Sequence, residues 1–365
     1  MGIKFKTPIV AEPNKFSWFD VELPNPGPYE VIFRNKACLI CGSDLHSYKG
    51  LHPFAPIPTC TGHEVAGEVV EIGSKVTTLT VGDRVYVAGT GAGTMPCGQC
   101  FYCVRGNPRR CVNPHKSTSF KIGGKVVSRF PSGFGEYSIN HEARAYKIPD
   151  DVSFYEAATT TDVAYVTGVV IRSEGGIGNS AVVIGAGPIG LRTLEVAKAA
   201  GVSPIFVSEP VDYRLKKAKE LGADAVINPM EEDPVKRVME LTDGAGVDIV
   251  YDVAGNLRAT QQGLDMVNTR IGGAGRIYLM GLYEAPNNNL SFNVSELMHK
   301  AGSISAEWGR GGGRGIIQAS LNMMSQKKLN ILKWITHKIP EERADEAMKM
   351  LIEKRENAIG VEIIH

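Results

Sequence analysis

The chain has 365 residues, 43% of them hydrophobic, and 40 lysines and arginines against 39 acids give it a formal net charge of +1. Such a length buries more than one core and predicts two domains, while the balanced charge excludes the broad basic surface of a nucleic-acid or anionic-membrane binder. Residues 1–7 carry no signal-peptide run, no apolar segment reaches membrane-spanning length, and Lys6 occupies the place where a myristoylation motif needs Ser or Thr, so a soluble cytoplasmic protein is expected.

Residues 5–35 read as short strands separated by the turn residues Pro24-Asn25-Pro26-Gly27-Pro28. A dense stretch follows, Cys41-Gly42-Ser43-Asp44-Leu45-His46 and then Gly62-His63-Glu64. A thiolate, a neutral imidazole and carboxylates are the donors a catalytic zinc takes, and two ligands from one stretch with a third from elsewhere leave one coordination position open. Asp44 suits the free ring N–H of a ligating His63 and would fix its tautomer. Ser43, two residues past the thiol, is placed to relay a proton at the open position. The Val-rich segment from Val65 and Gly82-Asp83-Arg84-Val85-Tyr86-Val87 predict a small antiparallel barrel with the ligands on its loops.

Cys97, Cys100, Cys103 and Cys111 come next, at spacings of two, two and seven. Four thiols so arranged wrap one ion tetrahedrally with no vacancy, which predicts a structural zinc. Arg105, Arg109 and Arg110 lie among them and read as a solvated loop face rather than a nucleic-acid ribbon. Of the seven cysteines, Cys38 and Cys60 remain and are expected as buried apolar side chains.

Ser153 and Glu156 form a capping-box pattern, so a helix starts there. The run Ala181-Val182-Val183-Ile184 then predicts a parallel strand covered on both faces, and it leads into Gly185-Ala186-Gly187-Pro188-Ile189-Gly190 and a helix. A second strand, Ile205-Phe206-Val207, ends beside Glu209, where a dinucleotide fingerprint places an acid on the adenosine ribose. The carboxylate opposes a 2′-phosphate and favours NAD over NADP, with Arg214 close enough in sequence to temper that preference. Helices and strands alternate to about residue 280, a pattern of a doubly wound parallel sheet. Two further helices, near 316–326 and 341–353, and a strand at 361–364 close the chain, after a glycine cluster at 309–313.

The motifs at 41–46 and Gly62-His63-Glu64-Val65-Ala66-Gly67 together resemble the zinc-dependent medium-chain alcohol dehydrogenases, nearest their sorbitol, threonine and butanediol dehydrogenase branch, and the resemblance covers nearly the whole chain. It implies an α/β protein with a GroES-like, β-rich catalytic domain in two parts (1–158 and 305–365) around a Rossmann cofactor domain (159–304), the reacting pair lying between them. It implies two zinc ions per chain. Cys41 and His63 would bind the catalytic one, Glu64 would ligate or support it, and Asp162 matches the last ligand, with a helix cap or surface carboxylate as its other reading. Ser43 would hand the substrate proton to His46, and Val253, Gly281 and Leu282 would face the cofactor. A homodimer or homotetramer is implied as well.

The expected reaction moves a hydride from a secondary alcohol, polyol or sugar-like molecule to NAD. A primary-alcohol dehydrogenase of the same family, a zinc-free quinone reductase and a zinc-ribbon interaction module on a dinucleotide fold are the competing readings. Where the polyol branch carries an Arg-Tyr pair, this chain has Ser305-Ala306 followed by Glu307-Trp308, which weakens a sorbitol assignment. Trp308 is open to two roles, lining the pocket or packing in the core.

Overall fold

The computed structural model describes residues 2–52, 55–88, 100–105, 111–113, 120–122, 125–127, 132–268, 270–271, 273–283, 289–307 and 314–365. Cys97, Arg109, Arg110, Trp308 and the glycine cluster lie outside them.

Two compact units divide the chain, one of Met1–Thr161 with Ile331–His365, the other of Asp162–Asn330. The first opens with the antiparallel hairpin β1 (Ile3–Glu12) and β2 (Lys15–Leu23). After the Pro-rich turn comes β3 (Glu30–Leu39), whose residues are buried on both faces, as a central strand requires. Then follow α1 (Gly42–Tyr48), β4 (Glu64–Ile72), β5 (Arg84–Ala88), α2 (Phe101–Val104) and the short hairpin β6 (Phe120–Ile122) with β7 (Lys125–Val127). The part ends with β8 (Tyr137–His141), β9 (Ala145–Lys147) and α3 (Phe154–Ala158), which has the expected capping box of Ser153 and Glu156.

From α4 (Thr160–Arg172) the period changes to strand–helix alternation: β10 (Ala181–Ile184), α5 (Pro188–Ala199), β11 (Ile205–Ser208), α6 (Asp212–Glu220), β12 (Ala225–Ile227), α7 (Pro234–Leu241), β13 (Ile249–Asp252), α8 (Leu257–Met266), β14 (Arg276–Leu279), α9 (Val294–His299), β15 (Ser303–Ala306) and α10 (Arg314–Ser325). All six strands are parallel, in the order β12-β11-β10-β13-β14-β15. Every residue of β10, β11 and β13 is buried, because helices cover both faces and leave no polar side to the strand. The strand order reverses between β10 and β13, and the crevice outside the carboxyl ends at such a switch point is where open α/β sheets bind ligands.

The chain then returns to the first unit with β16 (Ile335–Pro340), α11 (Ala344–Ile352) and β17 (Gly360–Ile364). These complete a seven-stranded sheet of order β16-β17-β3-β4-β5-β9, with β8 also paired to β3. Phe16, Phe33, Tyr48, Phe134 and Ile363 fill the core beside it. The return comes at Ile331 rather than at the expected 305. β15 is an edge of the parallel sheet, and α10 is bonded to the same unit: Ser320 Oγ lies 3.5 Å from Thr167 Oγ1, and the Asn330 N–H donates to Glu195 at 2.6 Å.

Candidate active site and cofactor turn

Strand pairing explains why the sparse motifs of the first unit meet. Glu64 pairs with Leu39 across β4 and β3, so Cys41, two residues past Leu39, and His63, one before Glu64, arrive at the same end of the sheet. On the other side of β3, Glu362 pairs with Leu39 and the Ile40 N–H donates to Val361 O at 3.0 Å, which fixes the strand leading into Cys41. Ligand atoms of Cys41, His63 and Glu64 lie within 4.8 Å of one another.

Asp44 organises this group. From the first turn of α1 its Oδ2 accepts the Cys41 N–H at 3.0 Å, its Oδ1 accepts the Gly62 N–H at 3.0 Å, and the same Oδ1 stands 3.5 Å from His63 Nδ1. One carboxylate therefore ties both ligand-bearing segments and turns the imidazole so that Nε2 is left for a metal. Burial works to raise the Asp44 pKa, but the charge and hydrogen bond of His63 and the Gly62 and Cys41 amides outweigh it and hold the carboxyl below its usual range. Gly62 is required here: its φ is +91°, and a Cβ would stand 2.5 Å from the Phe134 ring.

The donor chemistry fits zinc. A carboxylate with no exposure, Glu64, set against a thiol and an imidazole is costly without a cation to balance it. The nearby Cys38 has no exposure, and burial together with the charges of Asp44 and Glu64 pushes its thiol well up. Cys60 is likewise fully buried and raised, so both behave as the apolar side chains expected. Ser43 and His46, half-buried and three residues apart on α1, share one face of that helix directly after Cys41.

The second cluster is Cys100, Cys103 and Cys111, again with ligand atoms within 4.8 Å of one another, and Cys97 falls outside the described residues. The Cys100 and Cys103 sulfurs are 3.5 Å apart. Backbone amides of Val112 and Cys103 bring the Cys100 thiol down to about 6, which favours the thiolate a metal takes. Arg105 stacks its guanidinium 4.3 Å over the Phe101 ring, a loop-surface contact.

In the other unit the glycine turn has the form its spacing predicts. Gly185 has a φ of +101°, and a Cβ on Gly190 would stand 1.9 Å from Gly185 O, so strand and helix approach only because both are glycine. Gly187 caps α5, Pro188 begins it and Ile189 follows, so the turn leads straight into a helix start, where the first amides have no partner within the helix itself. Glu209 bonds the turn itself: Oε2 accepts the Ala186 N–H at 2.7 Å and Oε1 the Val211 N–H at 3.1 Å. Arg214 brings a guanidinium nitrogen to 4.0 Å from the position of a Gly187 Cβ, so charges of both signs border the turn. Val253 packs on it, with Cγ2 3.1 Å from the Cβ positions of Gly185 and Gly190. Gly281 and Leu282 touch Gly255 on the neighbouring loop.

Asp162, expected as a zinc ligand, forms a buried ion pair with Arg192 of α5 inside the cofactor unit. Glu307 is similarly committed, accepting two bonds from Arg172 at 2.6 and 3.1 Å and one from Ser305 at 2.8 Å. Neither pairing was visible in the sequence, where Arg192 is one polar residue in an apolar helix. A buried carboxylate the motifs did not single out, Asp252, ends β13 and bonds Thr260 and Tyr283. Its only sequence signal is an acid closing the apolar run Ile249-Val250-Tyr251.

Residues 27–150 match the family model of the alcohol dehydrogenase GroES-like domain, and residues 188–326 match that of the zinc-binding dehydrogenases. The chain belongs to the zinc-dependent medium-chain alcohol dehydrogenases. This dehydrogenase is 38% identical over 323 residues to L-threonine 3-dehydrogenase of Pyrococcus horikoshii, covering 87% of this chain and 86% of that one. It is 33% identical over 332 residues to a sorbitol dehydrogenase of Halalkalibacterium halodurans, 89% of each chain. Its fold matches that of 2R,3R-butanediol dehydrogenase from Bacillus subtilis with a TM-score of 0.83 and 28% identity over 99% of both chains. An E. coli alcohol dehydrogenase solved with NADH aligns with a TM-score of 0.83, 26% identity and full coverage of both chains. The dehydrogenase is thus a zinc- and NAD(P)-dependent enzyme acting on a small alcohol or polyol, which sets aside the interaction-module and quinone-reductase readings. No helix among the described residues is long and apolar enough to cross a membrane.

Proposed function

We propose that this dehydrogenase oxidises a secondary carbinol whose neighbouring carbon also carries a heteroatom, using NAD in preference to NADP. The observation that carries the site assignment is the convergence of Cys41, His63 and Glu64 around Asp44. The substrate class comes from the relatives: threonine, sorbitol and 2,3-butanediol all place an amine or hydroxyl beside a secondary alcohol.

In this reading Cys41, His63 and Glu64 hold the catalytic zinc, and Cys97, Cys100, Cys103 and Cys111 the structural one. Bound there, zinc supplies a Lewis acid and NAD a hydride acceptor. Ser43 takes the hydroxyl proton and His46 passes it to solvent, an imidazole being able both to accept and to release a proton. Glu209 accepts from the adenosine ribose, and its charge disfavours a 2′-phosphate despite Arg214. Asp162 stays in the proposed ligand set as a carboxylate oriented by Arg192. A cytoplasmic homodimer or homotetramer completes the proposal, to be checked by light scattering of the purified chain and by fractionation.

The test is a panel of L-threonine, sorbitol, 2,3-butanediol and benzyl alcohol with NAD and NADP, read as NADH or NADPH absorbance. Turnover of L-threonine or 2,3-butanediol with NAD supports the proposal. Activity confined to benzyl alcohol replaces it with a primary-alcohol reading. Zinc content of Asp162→Asn examines the last ligand: two ions per chain retained removes Asp162 from the set.

A further inference from the structure

Asp252 ends β13, beside the switch point, and has no exposed surface. All of its acceptor atoms are used on two loops and one helix. Its carbonyl accepts the N–H groups of Met280 at 2.7 Å and Gly281 at 3.1 Å. Oδ1 accepts the Ala254 N–H at 3.0 Å, and Oδ2 accepts the Thr260 hydroxyl at 2.5 Å and the Tyr283 hydroxyl at 2.8 Å. The Thr260 and Tyr283 oxygens are themselves 2.8 Å apart. One buried carboxylate thereby fastens the loop after β13, the loop after β14 and helix α8 to one another.

The two loops meet with no room for a side chain between them. A Cβ on Gly281 would stand 2.3 Å from Gly255 N, and one on Gly255 would stand 2.4 Å from Leu282 O. Hydroxyl bonds to a carboxylate are short and strong, and a buried carboxylate keeps them because breaking one exposes its charge to an apolar interior. The cluster therefore holds a preformed loop surface at the carboxyl ends of β13 and β14.

Topology says what that surface faces. Glu209 follows β11, on one side of the switch point, whereas β13 and β14 lie on the other. A dinucleotide whose adenosine ribose meets Glu209 must extend its nicotinamide half toward β13 and β14. We propose that Asp252, Thr260 and Tyr283 are positioning residues for the nicotinamide half of the cofactor, acting by locking residues 253–255 against residues 281–283. The inference rests on the proposed placement of the cofactor at the glycine turn.

The experiment measures dissociation constants of NADH and of ADP-ribose, which lacks the nicotinamide, for the zinc-loaded full chain by fluorescence and calorimetry. Tyr283→Phe and Thr260→Val each remove one hydroxyl and keep the shape of the side chain. Each should weaken NADH about tenfold, the scale of one lost bond to a charged group, and leave ADP-ribose within about twofold. The KM for NAD should rise by more than kcat falls. Tyr251→Phe is the control: it loses a buried hydroxyl bond to Ser173 of 2.7 Å that ties neither loop, and NADH affinity should not change. Equal weakening of both ligands, an unchanged NADH affinity with only a lower melting temperature, or an equal effect of Tyr251→Phe overturns the positioning role. Failure of the unsubstituted chain to bind either ligand overturns the cofactor placement itself.

Discussion

Cys41, His63 and Glu64 come from the ends of paired strands, while Cys100, Cys103 and Cys111 come from a short span whose one helix among the described residues has four residues. At the first site the ladders of β3, β4 and β17, with Asp44 bridging both segments, put the donors in place by protein bonds alone. In the second, among the described residues, the organising contacts are backbone amides directed at sulfur. The contrast teaches that a catalytic site can be pre-shaped by the sheet and merely filled, whereas a thiol lobe draws its order from the ion.

The comparison breaks most sharply at Cys41. Cys41→Ala should drop kcat/KM by at least about a thousandfold by emptying the Lewis-acid site. Its zinc content should fall from two to one while its denaturation midpoint barely moves, and full turnover in this variant would remove the site assignment. Cys103→Ala should do the reverse, costing several kcal/mol of stability, on the order of a structural metal's share, with kcat at 25 °C within about twofold. Denaturant titration and proteolysis within the lobe would read that loss. Asp44→Asn should weaken zinc at the first site by about 10- to 100-fold and leave the lobe's ion untouched, as chelator competition would report. The smallest effect belongs to Cys38→Ser: about 1–3 kcal/mol for burying a hydroxyl, with zinc content and turnover unchanged.

The cofactor turn was legible because Gly185 to Gly190 carries its geometry in the local chain, and Cys100-x-x-Cys103 and the pair His63-Glu64, which the structure gathers into clusters, are likewise sequence neighbours. Asp44 could be assigned to His63 on chemistry rather than spacing, a carboxylate being the partner a ligating imidazole takes. What escaped was pairing over distance. Nothing in the periodicity of α5 says that Arg192 is buried against Asp162, since both faces of that helix are covered and its polar residues look like surface. The return point moved from 305 to Ile331 because helix α10 reads the same whichever unit it joins; contacts over distance, Ser320 with Thr167 and Asn330 with Glu195, decide it. Asp252 went unnoticed because Thr260 reaches it from α8 and Tyr283 from the loop after β14, and the interval between them has no motif.

The sheet that carries Cys41 is assembled from stretches of chain made at very different times. The Phe16 N–H bonds Asp345 across 329 residues, and β3 finds its neighbour β17 only after the whole six-stranded unit between them has been synthesised. That intervening unit is contiguous and can fold as it leaves the ribosome. The metal-bearing half must wait with the Ala37–Leu39 end of β3 unpaired on one edge, so its closure carries the large loop-entropy penalty of distant contacts and should be the slow event of biogenesis. Nascent chains stalled before β16 should therefore bind nucleotide long before they can retain zinc at Cys41.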